Sequence, residues 1–175
     1  MKKLYIILSN TGSFPSKVIH FFTKDSYTHI SLSLNAELTE MYTFGRKYLY
    51  SIYPGGYIKE RIHQRMFKRF KKTRIIVFEL AVEEEEYEKI ATKLREMYKE
   101  KDCYTYNYKG AFWARWKKRK KRENCYYCSE FIFGVLAEFG LISPQVYNQI
   151  FRPCEFLSLD IGKKIFDGYA REYSL

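Results

Sequence analysis

The sequence predicts an α+β fold in which a small antiparallel sheet packs against helices. Its elements follow the order strand, helix, hairpin, strand and helix, with a late helix that carries a cysteine, and this order is typical of α+β proteins. The first strand is the apolar, β-branched run at residues 4–8, which is followed by a turn at Gly12. After it, Ser16 is a predicted N-cap for a helix over residues 16–22.

A β-hairpin is predicted from the alternation of polar and apolar residues. Residues 27–34 place His29 and Ser31 on one face and Ile and Leu residues on the other, as a half-buried strand does. A second strand at residues 38–44 is predicted to pair with it through a tight turn at Asn35 and Ala36.

Three further elements follow. Residues 74–82 predict a strand, and residues 83–101 predict a helix whose acidic first turn and basic last turn match the helix dipole. Residues 125–139 predict a helix that ends at Gly140, where a left-handed cap is natural. The segment 48–70 and the tail 156–173 give no clear pattern.

Composition predicts one globular domain over residues 1–175. Hydrophobic residues make up 46% of the 175 residues, which excludes an intrinsically disordered chain. The net charge of +11 favours anionic partners such as phosphate, lipid headgroups or nucleic acid. Four cysteines without a signal-like or membrane-spanning segment predict free thiols in a reducing compartment, and therefore a cytoplasmic protein.

Cys128 is the candidate nucleophile because it lies near the start of a predicted helix. An ordinary thiol is only about 3% thiolate at pH 7. A helix N-terminus and a neighbouring imidazolium both favour the thiolate. The first-turn amides of the helix, which lack partners within the helix, could also donate to an oxyanion.

His29 is the candidate general base, and Glu40 is the candidate residue to orient its ring. A carboxylate bound to one ring nitrogen fixes the tautomer and leaves the other nitrogen for the thiol proton. The length of the hairpin loop decides whether the Glu40 side chain can reach the His29 ring. A loop of two or four residues places Glu40 on the face of His29, whereas a loop of three residues presents Thr39, Met41 and Thr43 there.

Three stretches together resemble a known family. They are Tyr-Thr-His-Ile-Ser-Leu-Ser-Leu at 27–34, Leu-Thr-Glu-Met-Tyr-Thr-Phe-Gly at 38–45 and Tyr-Cys-Ser-Glu-Phe-Ile at 127–132. In this order they resemble the permuted papain-like hydrolases, which group circularly permuted NlpC-type endopeptidases with lecithin:retinol acyltransferase-like enzymes. The resemblance implies a papain-like, circularly permuted fold with the nucleophile at a helix N-terminus. It assigns the catalytic roles to Cys128, His29 and Glu40.

The resemblance also implies an activity. It indicates a cysteine hydrolase or acyltransferase that cleaves a peptide, amide or lipid ester through a thioester, without a metal or other cofactor. Substrate contacts are expected at Tyr27, Tyr127 and Ser129. Cys125 lies one turn before Cys128 and is the alternative nucleophile, but only Cys128 is followed by the Ser-Glu-apolar sequence of the family.

Two other interpretations use the same residues. Cys125 and Cys128 have the spacing of a redox pair or of half a zinc site, but Cys103 and Cys154 are isolated, which disfavours zinc. The segment 113–122 could instead form a non-catalytic binding module for an anionic membrane or, less favoured, for nucleic acid. Residues 117–122 of this segment, which we call the basic run, could also steer an anionic substrate toward Cys128. The sequence does not predict an oligomeric state. The basic run is Lys117, Lys118, Arg119, Lys120, Lys121 and Arg122.

Overall fold

The structure is a computed structural model that describes residues 1–11, 25–118 and 122–174. In this part of the chain, eight strands form one sheet, flanked by five α-helices and four short 3-10 turns. The α+β class is confirmed, but the sheet is larger than the small one predicted, and the predicted helix at 16–22 lies outside the described residues. The strands are β1 Lys2–Asn10, β2 His29–Ser33, β3 Met41–Arg46, β4 Gly55–Glu60, β5 Arg74–Val82, β6 Thr105–Tyr106, β7 Cys125–Tyr126 and β8 Lys163–Tyr169, and the helices are α1 Arg65–Arg69, α2 Glu84–Lys99, α3 Tyr108–Trp113, α4 Cys128–Glu138 and α5 Pro144–Gln149.

The strand order across the sheet is β7-β6-β4-β3-β2-β1-β5-β8. All neighbours are antiparallel except β6 and β7, which are parallel. Strand β1 lies between β2 and β5 and is buried on both faces. Burial on both faces explains why its sequence is a continuous apolar run and does not alternate.

The hydrophobic core lies in two layers, one on each face of the sheet. On one face, Ile90 and Leu94 of α2 and Phe131 of α4 pack against the even-numbered residues of β1 and β2. On the other face, Phe67 of α1 and Tyr173 near the end of the chain pack against odd-numbered residues of β1 and β5. This packing of α4 therefore holds its N-terminus beside the sheet.

The hairpin between β2 and β3 has a longer loop than predicted. Leu34 donates its N–H to the carbonyl of Glu40 at 3.1 Å, which encloses a loop of residues 35–39. The Asn35 side chain organises this loop by accepting from the N–H groups of Thr39 and Glu40, both at 3.1 Å. A five-residue loop has the same parity as one of three residues, so Met41 pairs with Ser33 and shares its face with His29. Glu40 therefore lies on the opposite face.

The helix that carries Cys128 begins three residues later than predicted. Cys125 belongs to the short strand β7, and α4 starts at Cys128 itself. This shift places the thiol at the first helical position. The strand at 74–82 and the helix predicted at 83–101 are both confirmed, the latter as Glu84–Lys99.

Candidate functional site

A cleft of about 920 Å³ lies beside the N-terminus of α4, and both His29 and Cys128 line it. His29 is the first residue of β2, and Cys128 is the first residue of α4. The two residues are 99 positions apart in the chain, and the cleft brings them together. Glu60, the last residue of β4, lines the same cleft.

The His29 imidazole is held by a carboxylate. Its Nε2 atom lies 3.2 Å from Oε2 of Glu60, which is nearly buried. The Ser31 hydroxyl donates to the same carboxylate oxygen at 2.8 Å and lies 3.4 Å from Nε2 of His29. Two residues of β2 thus fix the position of one carboxylate on β4.

The Cys128 thiol lies next to two polar side chains that line the same cleft. They are the His29 imidazole and the hydroxyl of Tyr106 on β6. Only 5% of Cys128 is exposed to solvent. The thiol is therefore buried between an imidazole and a phenol, which is an unusual environment for a purely structural cysteine.

The first turn of α4 is fixed by polar contacts. The Glu130 carboxylate accepts from the N–H of Tyr127 at 3.4 Å and from the side-chain amide of Asn107 at 3.3 Å. The Ser129 hydroxyl donates to the carbonyl of Phe151 at 2.6 Å. These bonds hold the helix terminus, and with it the sulfur of Cys128, in one place relative to His29.

Electrostatics favour a charged imidazole. Burial alone lowers the pKa of His29, but the Glu60 carboxylate and the neighbouring Cys128 thiol outweigh it and raise that pKa to about 10. Burial likewise raises the pKa of Glu60, yet the attraction and hydrogen bond of His29 lower it overall. Burial raises the pKa of Tyr106, and the nearby Cys128 adds to that shift. Tyr106 is therefore a protonated hydrogen-bond donor at neutral pH.

A glycine opposite His29 keeps space beside the ring. A Cβ atom placed on Gly45 of β3 would lie 3.0 Å from Cδ1 of Ile58 and 3.6 Å from Cε1 of His29. The first distance is shorter than ordinary van der Waals contact. Any side chain at this position would therefore press on the wall of the cleft next to the imidazole.

The structure contradicts the prediction that Glu40 orients the His29 ring, because the Glu40 carboxylate binds other residues. Arg95 of α2 donates two hydrogen bonds to the Glu40 carboxylate, both at 3.1 Å, and Tyr42 donates a third at 2.8 Å. The bonds from Arg95 contribute most to lowering the pKa of Glu40, which falls to about 2. Glu60 occupies the place beside His29 that Glu40 was predicted to fill, because the odd-numbered loop turned Glu40 to the other face.

The predicted substrate contacts have mixed outcomes. Tyr127 and Ser129 line the cleft, although the Ser129 hydroxyl is engaged by Phe151. Tyr27 does not line it in the part of the chain that the structure describes, since its ring packs in the core and its hydroxyl contacts Arg74. Of the basic run, Lys117, Lys118 and Arg122 are exposed, whereas residues 119–121 lie outside the described residues.

All four cysteines are free thiols, including Cys125 and Cys128. Among residues 1–11, 25–118 and 122–174, no group of three or more His, Cys, Asp or Glu side chains is arranged to hold a metal ion. Cys125 is buried on β7 and does not line the described cleft. The geometry therefore distinguishes Cys128 from Cys125.

Two residues of the site were not singled out from the sequence. Glu60 follows the Pro54-Gly55-Gly56 turn, and the alternation of Tyr57, Ile58 and Lys59 after that turn is the signal that could have identified a strand. Tyr106 lies in an irregular aromatic segment that contains only a two-residue strand. No local pattern distinguishes it from its neighbouring tyrosines.

Comparisons with protein-family models, with curated proteins and with solved structures find no match to this chain. Fold and site therefore define the class: an α+β protein with a buried Cys-His-Glu cluster in a cleft. Within the described ranges, no helix combines the length and the apolar character needed to cross a lipid bilayer.

The His29–Glu60 pair is expected to make stability depend on pH. The lowered pKa of Glu60 contributes stability above its ordinary value of 4.5, and this contribution is lost as the pH falls through the lowered value. The raised pKa of His29 contributes stability that is complete below 6.5, declines above it and is lost as the pH passes about 10. The pair should therefore stabilise most between pH 4.5 and 6.5.

Urea unfolding over a pH series measures this effect. The control is the double variant His29→Gln/Glu60→Gln, which keeps hydrogen-bonding groups but cannot titrate at these positions. The difference in unfolding free energy between the two proteins should fall on both sides of the plateau. A difference that stays constant with pH would contradict the ion pair.

Proposed function

We propose that the chain is a thiol hydrolase or acyltransferase in which Cys128 attacks the carbonyl carbon of an amide or ester. The observation that carries this proposal is that the Cys128 thiol and the His29 ring line one cleft, with Nε2 of the ring held 3.2 Å from Glu60. A nucleophile, a base and a residue that orients the base are the three parts that covalent acyl transfer requires.

The proton moves from the thiol to His29. Because Nε2 of His29 faces Glu60, Nδ1 is the ring nitrogen left for the thiol. The Glu60 carboxylate stabilises the imidazolium that forms, in keeping with the raised pKa of His29. The N-terminus of α4 stabilises the thiolate through the helix dipole. Both effects stabilise the ion pair that the proton transfer produces.

Acyl transfer then takes place in two steps. The thiolate adds to the carbonyl carbon, and the tetrahedral intermediate expels the alcohol or amine, which takes its proton from the His29 imidazolium. This leaves a thioester on Cys128. A water molecule, or an acceptor alcohol or amine, gives a proton to His29 and attacks the thioester, which releases the acyl product and restores the thiol.

Two groups are placed to stabilise the oxyanion of the intermediate. The N–H of Cys128 is at the first position of α4, where helical amides have no partner within the helix. The Tyr106 hydroxyl, which lines the same cleft as Cys128, is a second donor. Aromatic and aliphatic side chains, including Phe44, Ile58 and Phe151, line the rest of the cleft and suit an apolar acyl group.

The papain-like assignment belongs to the same proposal. His29 precedes Cys128 in the chain, on a strand and at a helix start respectively, which is the order of the permuted papain-like group. The third residue differs from the one that the resemblance implied, since Glu60 comes from β4. Four free thiols support a reducing compartment, and the cytoplasm is the compartment we propose.

Alkylation by iodoacetamide tests the proposal with three internal standards. At pH 7, Cys128 is expected to react at least about tenfold faster than the exposed Cys103, because an ordinary thiol is only a few per cent thiolate. Cys154 should be slowest, since burial and Asp25 raise its pKa to about 12. Peptide mass spectrometry over a time course measures all four rates.

The variant His29→Ala is the matched control for this experiment. It should bring the rate of Cys128 down to that of Cys103 or below, and leave the other three rates unchanged. Reaction of Cys128 no faster than Cys103 in the wild-type protein would refute an activated thiol.

A further inference from the structure

The cleft opens beside an exposed aromatic surface. Two segments form this surface, which we call the rim: residues 46–53 between β3 and β4, and residues 108–118 along and after α3. Of the nine large hydrophobic side chains exposed in the described part of the chain, seven lie in these two segments. They are Tyr48, Tyr50, Ile52, Tyr53, Tyr108, Phe112 and Trp116.

The two segments form one continuous surface. The Tyr108 hydroxyl donates to the carbonyl of Ile52 at 2.6 Å, and the rings of Tyr53 and Tyr108 lie 6.3 Å apart. The rings of Phe112 and Trp116 lie 5.0 Å apart. Ile52, Tyr108, Phe112 and Trp116 also line the cleft, so the rim borders the cleft that contains Cys128.

The rim also has a net positive charge. Six Lys or Arg residues and no Asp or Glu occur in segments 46–53 and 108–118. Lys117 and Lys118 are exposed next to Trp116, and Nζ of Lys118 lies 5.8 Å from the centre of the Trp113 ring. Solvent-exposed aromatic rings beside lysines suit a partner that is both apolar and anionic.

We infer that the rim docks onto an anionic lipid bilayer. Tyr and Trp prefer the interfacial layer of a bilayer, where the ring is buried and the polar atom stays hydrated. Lysines just outside that layer gain about 1 kcal/mol each from anionic headgroups. Docking would place the mouth of the cleft at the lipid surface. Delivery of an acyl substrate to Cys128 rests on the proposed function, whereas docking itself does not.

Membrane is favoured over nucleic acid by the shape of the surface. A single-stranded nucleic acid needs a groove that tracks its phosphates past successive stacking rings. Here the rings border a cleft whose exposed lining is mostly apolar, with Phe44, Met66 and Phe67 among the lining residues, although Arg46 and Arg65 also line it. A mostly apolar lining suits hydrocarbon better than a chain of phosphates.

Tryptophan fluorescence tests docking directly, because the only two tryptophans of the chain, Trp113 and Trp116, are in the rim. In the variant Trp113→Phe, the emission of Trp116 should shift to shorter wavelength on vesicles of phosphatidylcholine with about 30% phosphatidylserine. Vesicles of phosphatidylcholine alone should give a much weaker response. No shift with the anionic vesicles would overturn the proposal, as would a stronger response to a poly-dT oligonucleotide.

Paired variants identify the residues responsible. Lys117→Gln/Lys118→Gln should weaken binding to the anionic vesicles about 30-fold. The control Lys71→Gln/Lys72→Gln removes the same charge from an exposed turn before β5 and should leave binding unchanged. Phe112→Ser should also weaken binding, whereas Leu157→Ser, at an exposed site outside the rim, should not. Equal losses in the rim and control variants would overturn the proposal.

The variant Cys128→Ser separates docking from catalysis. It removes the nucleophile but leaves the rim intact, so its vesicle binding should equal that of the wild-type protein. Loss of vesicle binding in Lys117→Gln/Lys118→Gln with normal alkylation of Cys128 supports docking independently of the proposed function. Failure of Cys128 to show enhanced alkylation would leave the vesicle result unaffected.

Discussion

Replacing Cys128 with serine is expected to lower the rate of p-nitrophenyl acetate hydrolysis by at least about 1,000-fold. The reason is chemical, since a serine hydroxyl has a far higher pKa than a thiol and His29 cannot deprotonate it to a useful extent. In the wild-type protein, release of the first equivalent of p-nitrophenolate should be accompanied by an acetyl group on Cys128 in the intact mass. Absorbance and mass spectrometry measure the two products.

Cys125→Ser is the control for this prediction. Cys125 is buried three residues before Cys128, but it belongs to β7 and does not line the described cleft. Its replacement should leave the hydrolysis rate within about twofold of the wild-type rate, as expected for a residue outside the site. If Cys125→Ser removed the activity and Cys128→Ser retained it, the nucleophile would be misassigned by three positions.

The regular elements were predictable because their local patterns were strong. Strand β1 is apolar throughout, and helix α2 has charged ends that match its dipole. Helix α4 was also predicted, although its start was placed at Cys125 because the aromatic residues at 126 and 127 fit either state. Strand β8 was missed because Lys163–Tyr169 lies at the sheet edge, where half-exposed residues alternate weakly.

The site was predictable only in part. Whether the loop between β2 and β3 has an odd or an even number of residues decides on which face of the sheet Glu40 lies. His29 and Cys128 each stand out locally, one on the polar face of a strand and one at a helix start. The third residue depends on register, which local sequence does not determine. Asn35 holds a five-residue loop through two backbone N–H groups, and this turns Glu40 toward Arg95. The carboxylate that reaches His29 then has to come from another strand.

Glu60→Gln should therefore have a large effect, on both stability and reactivity. Removing the carboxylate breaks a partly buried ion pair and lowers the free energy of unfolding by at most about 3–5 kcal/mol, because His29 can give up its proton. Without the carboxylate, burial lowers the pKa of His29, and the thiolate–imidazolium pair is disfavoured. We expect alkylation of Cys128 at pH 7 to slow by at least about tenfold, toward the rate of an ordinary thiol.

Glu40→Gln is the matched control because it makes the same chemical change at the residue that precedes the neighbouring strand β3. Glu40 is partly exposed, and its bonds to Arg95 and Lys59 contribute roughly 1 kcal/mol or less. Its replacement should not change the alkylation rate of Cys128. If Glu60→Gln fails to fold, Ser31→Ala provides a milder test, since it removes the 2.8 Å hydrogen bond to Glu60 and keeps the charge. If alkylation of Cys128 were slower in Glu40→Gln but normal in Glu60→Gln and Ser31→Ala, Glu40 and not Glu60 would be the residue that orients His29.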